Sequence, residues 1–237
     1  MATERQVLEQ WAKQNPGLYE GLKQAVSGAE GTILGGKPGY NVMFGGGRFK
    51  DFSKHPDKVI RSSSGLASAA AGAYQFMPGT WQNVQQSLGL SDFGPQSQDI
   101  GMLKLARDRL LPLGGLSAIT KANTLTPEIQ AALAPEWASF PTATGSSYYG
   151  QPVKKAQEIQ QFFEQGRQRG AASSTASAPV QQRSVEDILS SALGLGEKPE
   201  LNEVNAKSQG LLNAIKSSLI KSLIPAVVNP SSLIGLP

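Results

Sequence analysis

The chain contains no cysteine, so disulfide staples, thiol catalysis and cysteine-built zinc sites are all excluded. Histidine occurs once, at His55, which rules out multi-histidine metal centres. No run approaches the roughly 20 uninterrupted apolar residues needed to span a bilayer. The opening MATERQVLEQWAKQNPG lacks an apolar stretch behind a basic start, so it is not expected to serve as a secretory leader. Basic residues form no dense run interleaved with aromatics, and nucleic acid is therefore not an expected partner. Aromatic residues are sparse, at 7%, whereas 26 glycines and 15 prolines indicate many turns and long connections.

What is present is a hydrophobic share of 39% over 237 residues, enough for a core in at least part of the chain. Net charge is +4 and lies wholly in residues 1–170, which carry 17 Lys and Arg against 13 Asp and Glu; residues 171–237 carry 5 of each. A basic first part suits a polyanionic partner, a cell wall bearing carboxylates and phosphates among them. Composition shifts at GAASSTASAPVQQRS (170–184), small and polar without an apolar period. The reading is a domain over residues 1–168, an Ala/Ser-rich linker over 169–184 and a short helical tail over 185–237.

The first part reads as α+β and mainly helical. One helix is expected over 5–14; Asn15 and Pro16 then open a second, as N-cap and first helical residue. In that helix Tyr19, Leu22, Val26 and Ala29 recur at helical spacing and should face the core. Residues 31–65 form a glycine-rich excursion, in which YNVMF followed by GGGRFKDF suggests a small β-hairpin. ASAAAGAYQFMPGTWQNVQQSLGL reads as helix broken at Pro78-Gly79 and resumed from Thr80. Ser97 is a candidate cap for the next helix and Thr126 for EIQAAL. VKKAQEIQQFFEQGRQRG reads as the last helix before the linker.

Glu30 falls four residues after Val26, on the apolar side of its helix and in the last turn. Both placements disfavour a negative charge, the first through desolvation and the second through the helix dipole. A carboxyl so placed should hold its proton towards neutrality, as a general acid for glycoside cleavage must. The bland alternative is an ordinary surface carboxylate ending a helix. Two-carboxylate glycosidases need a partner, for which Asp51 and Asp57 are candidates that spacing alone does not place. A one-carboxylate route exists where the C6 hydroxyl of N-acetylmuramic acid attacks its own C1.

Several blocks in order carry a family resemblance: EGT (30–32), GYNVMFGGGRFKDFSKHP (39–56), AGAYQF (71–76) with Trp81, LGLSDFGPQSQD (88–99), EWASFP (136–141) and YGQ (149–151). Over roughly residues 20–165 the chain resembles the phage lambda-type endolysins, lysozyme-like lytic transglycosylases. The resemblance implies a lysozyme-like fold that cuts the MurNAc-β-1,4-GlcNAc bond of peptidoglycan glycan strands, leaving 1,6-anhydro-muramyl ends, without metal or organic cofactor. It makes Glu30 the catalytic acid and base. Tyr74 and Gln75 would line the sugar groove, and Tyr149 would lie near the glutamate. Asn41 stands where the family usually has aspartate after the GY tyrosine (Tyr40 here), so any water-activating role there is in doubt, while polar contact to a sugar stays open. The stretch from Glu30 to Tyr40 looks shorter than in the lambda enzyme.

His55 before Pro56 reads as structural, and Trp81 and Trp137 as core. Phe44 and Phe49 are divided between packing the hairpin and lining a sugar subsite; Ser68 and Ser64 are weaker sugar contacts. Gly45, Gly46 and Gly47 lack the following GK[ST] of a phosphate loop. In the tail, Leu212, Ile215, Leu219 and Leu223 form an apolar stripe expected to dock, on virion proteins (capsid, portal or tail) in preference to a membrane surface. The resulting expectation is a virion-carried lysozyme acting on the host periplasm or cell wall at entry. Its rivals are a soluble endolysin or hydrolytic muramidase held in the host cytoplasm until lysis, and a structural virion protein with a vestigial enzyme domain.

Overall fold

The structure is a computed structural model that describes residues 2–62, 65–150 and 152–177. Ser64, Gln151 and the expected tail over 185–237 lie outside the described residues. Residues 1–179 form one compact unit. Its described residues form seven α-helices and two short hairpins: α1 Glu4–Gln14, α2 Pro16–Ala29, β1 Ile33–Leu34, β2 Lys37–Pro38, β3 Ile60–Arg61, β4 Ala67–Ser68, α3 Pro78–Leu88, α4 Pro95–Arg109, α5 Ser117–Ala122, α6 Pro127–Leu133 and α7 Ala156–Ser177. This is an α+β, mainly helical fold, and its helices begin where local chemistry starts them.

Thr3 and Gln6 form a reciprocal capping box on α1. Thr126 accepts from the Ile129 N–H and opens α6. Asn15 does precede α2, yet its side chain makes no cap there: its amide donates back to the Trp11 carbonyl at 2.9 Å, closing α1 instead. At φ −128°, ψ 54° its backbone lies outside the extended conformation usual for a capping residue. Pro95 rather than Ser97 starts α4, and the Ser97 hydroxyl donates to Asp92.

α2 is the central helix. Gly21 to Ala29 are all buried, and α7 lies along α2 at very close range. Glycines make that approach possible. A Cβ on Gly170 would sit 2.6 Å from the Pro16 carbonyl oxygen, and one on Gly21 would sit 2.8 Å from the Phe163 ring; Gly28 and Gly166 are tighter still. Each helical glycine costs about 0.5–1 kcal/mol of helix propensity, offset here by the packing it permits.

Three expectations need correction. The helix read over 67–77 is absent: β4 and a tight turn closed by an Ala71–Phe76 bridge occupy it, and Pro78 opens α3 from the first helical position. Left-handed backbone at Gly72 (φ 84°) and Gln75 (φ 49°) is incompatible with helix there. The YNVMF hairpin is reduced to a single Val42–Arg48 bridge around a 3₁₀ turn, with Met43 pairing to Ala71 instead; regular antiparallel pairs form at β1–β2 and β3–β4. Finally, α7 runs to Ser177, so the stretch read as linker from 169 begins as helix.

Candidate active site

Glu30 is the C-cap of α2 and is placed there by a Schellman turn. The Thr32 N–H bonds back to the Ser27 carbonyl (2.9 Å), the Gly31 N–H to that of Gly28 (3.3 Å), and Gly31 adopts φ 69°. The Thr32 hydroxyl then reaches 41 residues along the chain to the Ala73 carbonyl at 2.5 Å. EGT and AGAYQF are thus stitched together, and the carboxyl of Glu30 opens beside the second segment.

That carboxyl faces an open cavity of about 500 Å³. Phe44, Leu66, Ser68, Tyr74, Gln75, Met77, Leu105, Arg109, Glu136, Trp137 and Tyr149 are among the other residues that line it. Burial raises the Glu30 pKa to about 7, and a hydrogen bond donated by the Ser139 hydroxyl to Oε1 at 2.5 Å works in the opposite direction. The group is therefore part protonated at neutral pH, while its charged form already has a donor waiting. Those are the two states an acid that later becomes a base must visit.

Below the cavity floor lies a buried polar cluster. Asp99 of α4 accepts from the Tyr40 hydroxyl (2.8 Å) and the Tyr74 hydroxyl (2.5 Å) and pairs with Lys23 at 3.0 Å. Burial opposes the charge on Lys23, but Asp99, Tyr40 and Glu20 outweigh it and raise the ammonium above the ordinary lysine range. Its neighbour Gln98 accepts from the Ala73 N–H (2.9 Å) and donates to the carbonyls of Tyr40 (2.9 Å) and Phe93 (2.7 Å). Two consecutive side chains thus hold the GY loop and the AGAYQF turn from beneath.

The structure treats the expected site residues differently. Gln75, Ser68 and Tyr149 line the cavity with Glu30. Gln75 also donates to the carbonyls of Gly72 and Val42, and Ser68 accepts from the Ala70 N–H. Tyr149, 58% exposed, is held by donation to the Pro135 carbonyl at 2.9 Å. Tyr74 lines the cavity too, but it is only 1% exposed and sends its hydroxyl to Asp99, so it meets the groove without offering its phenol to a sugar. Tyr40 also donates to Asp99 but is not on the lining. Asn41 is not on the lining, nor are Asp51 and Asp57, both exposed in the excursion. Phe44 lines the cavity, whereas Phe49 packs against Phe52 and Phe93, which divides the pair.

His55 is buried and structural. Its Nδ1 accepts from the Asp57 N–H (3.0 Å), so Nε2 carries the proton given to the Phe76 carbonyl (2.8 Å), and burial lowers its pKa. Trp81 is core, packed edge-on against Phe93 and Phe76. Trp137 is buried as expected, but it also borders the cavity and donates to the Tyr74 carbonyl. Ser139, Arg109, Glu136, Gln98 and Asp99 were not assigned roles from sequence. The signal for four of them was visible inside EWASFP and PQSQD, but their partners are 25 to 109 residues away. Among the described residues no three histidine, aspartate or glutamate side chains converge as a metal site would.

A mainly helical domain with a desolvated glutamic acid at a helix end, facing an open groove, defines a lysozyme-like glycan-degrading enzyme. The endolysin family model matches residues 21–170, and the chain is a peptidoglycan-degrading enzyme belonging to that family. It is 37% identical over 130 residues to the endolysin of Escherichia phage lambda, a match covering 54% of this chain and 75% of that protein. Bacteriophage lambda lysozyme complexed with a chitohexasaccharide superposes with a TM-score of 0.54 at 29% identity, over 63% of this chain and 94% of that one. A second structure of lysozyme from bacteriophage lambda gives 0.50 at 25% identity, over 65% and 94%.

Proposed function

We propose that the chain is a lytic transglycosylase in which Glu30 acts alone as acid and then base. The observation that carries this is the protonatable carboxyl of Glu30, dried by burial and steadied by Ser139, beside an open groove. In the first half Glu30 gives its proton to the bridging oxygen of a MurNAc-β-1,4-GlcNAc bond as the bond from C1 breaks. In the second, O6 of the muramyl sugar closes on C1 and Glu30 takes the O6 proton. No water is consumed, and the muramyl end is a 1,6-anhydro ring. The serine donor favours the carboxylate between these halves and so lets one group serve both. A related enzyme, lambda lysozyme, was solved with a chitohexasaccharide, which supports a glycan in this groove.

A hydrolytic muramidase is the second reading, and Glu136 is the observation in its favour, as a further carboxylate on the same lining. Its Oε2 is engaged by Arg109, which leaves it a poor free base; the one-carboxylate route is accordingly preferred. Purified peptidoglycan digested by wild type and by Glu30→Gln, with products weighed by mass spectrometry, tests both. Anhydro-muramyl ends from wild type alone support the proposal. Hydrated reducing ends move the assignment to hydrolysis, and equal digestion by the two proteins removes Glu30 from the reaction.

In biological role, the likeness to an endolysin favours release of the enzyme at host lysis over carriage in the virion. The virion reading rested on residues 185–237, outside the described part. Mass spectrometry of purified particles separates the two: the chain should be absent from them and abundant in the lysing cell.

A further inference from the structure

We propose that Arg109 is an anion-recognition residue of this groove, held by Glu136 so as to take a carboxylate that distinguishes muramyl glycans from neutral ones. The inference rests on the glycan-cleaving reading of the pocket and adds to it what the groove selects.

Arg109 ends α4, and among the described residues it is the single cationic side chain on the cavity lining. Its Nε and Nη2 both donate to one oxygen, Oε2 of Glu136, at 3.0 and 2.8 Å. A guanidinium has five N–H groups in a planar fork, so three remain without a partner among the described residues. The two side chains are unequally exposed, 43% for Arg109 against 14% for Glu136. The acid end is therefore turned into the protein and the cationic end into the groove. An ion pair this exposed adds little to stability, so its geometry is better accounted for as a mount for the guanidinium. Planar N–H pairs match carboxylates in shape as well as charge.

A muramyl sugar differs from N-acetylglucosamine by a lactyl ether ending in a carboxyl group. That group is either free or joined to a peptide bearing carboxylates of its own. Both sources present the same chemistry at the edge of the glycan strand. Chitin oligosaccharides present none.

The test compares full-length wild type, Arg109→Ala, Arg109→Lys and Glu136→Gln, each carrying Glu30→Gln so that ligands stay intact. Binding is measured to chitohexaose, to peptide-free glycan strands with free lactyl carboxylates, and to strands retaining their peptides. Arg109→Ala should weaken binding to the charged strands by roughly 10- to 100-fold and change chitohexaose by less than about twofold. Arg109→Lys should recover part of the loss, and Glu136→Gln should lose several-fold with the same selectivity. A loss on peptide-free strands assigns the lactyl carboxylate; a loss only where peptides remain assigns theirs. Equal weakening for neutral and charged glycans, or no weakening at all, overturns the proposal. Because the readout is a binding ratio, it is separate from the product analysis that tests the role of Glu30.

Discussion

The helical half of the molecule and the glycine-rich excursion wall the same cavity, and they are held by opposite kinds of force. Glu30 stands at the end of α2, which is located by near backbone contact with α7 and by residues that are buried throughout its second half. The excursion and the AGAYQF turn have almost no regular pairing, and are tied down by Gln98, Asp99, His55 and Thr32 through buried hydrogen bonds. Apolar packing that fixes the acid also dries it, and this desolvation raises its pKa. Polar anchoring fixes the opposite wall while leaving its outer surface, Gln75, Ser68 and Phe44, open on the groove.

Removing the acid should have the largest effect. Glu30→Gln is expected to lower turnover about 10²–10⁴-fold in a peptidoglycan-release assay. The same change should stabilise the fold, by an amount that depends on pH. The native pKa of about 7 lies above the ordinary 4.5, so between those values the native state binds more protons than the unfolded chain. Stability therefore falls as pH rises, and the full cost stands above pH 7. Thermal melts at pH 8 should show Glu30→Gln gaining up to about 3 kcal/mol, with no gain near pH 4.

Breaking the polar wall comes next. Asp99→Asn leaves Lys23 with Glu20 as its sole carboxylate partner among the described residues and weakens the hold on Tyr40 and Tyr74, and should cost about 3 kcal/mol by denaturant titration. Surviving activity should show a raised KM, since the floor of the groove is loosened. Breaking the packed half is milder: Gly170→Ala forces α7 off Pro16 at a cost of about 1–3 kcal/mol. A melt unchanged from wild type would show that the helices have slack the close contact denies. The smallest effect is expected at Ser139→Ala. Loss of a donor to the carboxylate removes the influence holding the Glu30 pKa down, so the alkaline fall in kcat/KM should move upward from about pH 7. A downward move would contradict the hydrogen bond.

How much was legible follows the same division. α1 and the start of α6 were readable because a capping box and a Thr-Pro pair act over three residues. Glu30 was readable because helical period and the following glycine both bear on it. Tyr74 and Gln75 both line the groove, but the tie of the Tyr74 hydroxyl to Asp99 was not legible, because an irregular turn with φ 49° at Gln75 has no period that points to a partner 25 residues away. The helix expected at 67–77 failed for the same reason, since alanines allow helix but the left-handed Gly72 and a bond from Ala73 to Gln98 decide against it. The Ala/Ser stretch after 169 reads as linker by composition, yet Gly170 is small enough to continue packing against Pro16, and the helix goes on to Ser177.

Local chemistry in the chain was sufficient to set where α1, α2 and α6 start, where α2 stops, and that a carboxyl stands at that stop. It also excluded thiol and multi-histidine chemistry outright. Tertiary structure alone supplied Ser139 to Glu30, Asp99 to the two tyrosines, and Glu136 to Arg109. These pairs join positions 25 to 109 residues apart, where hydrogen-bond partners are chosen by the packing of whole helices and leave no periodic trace in the residues between.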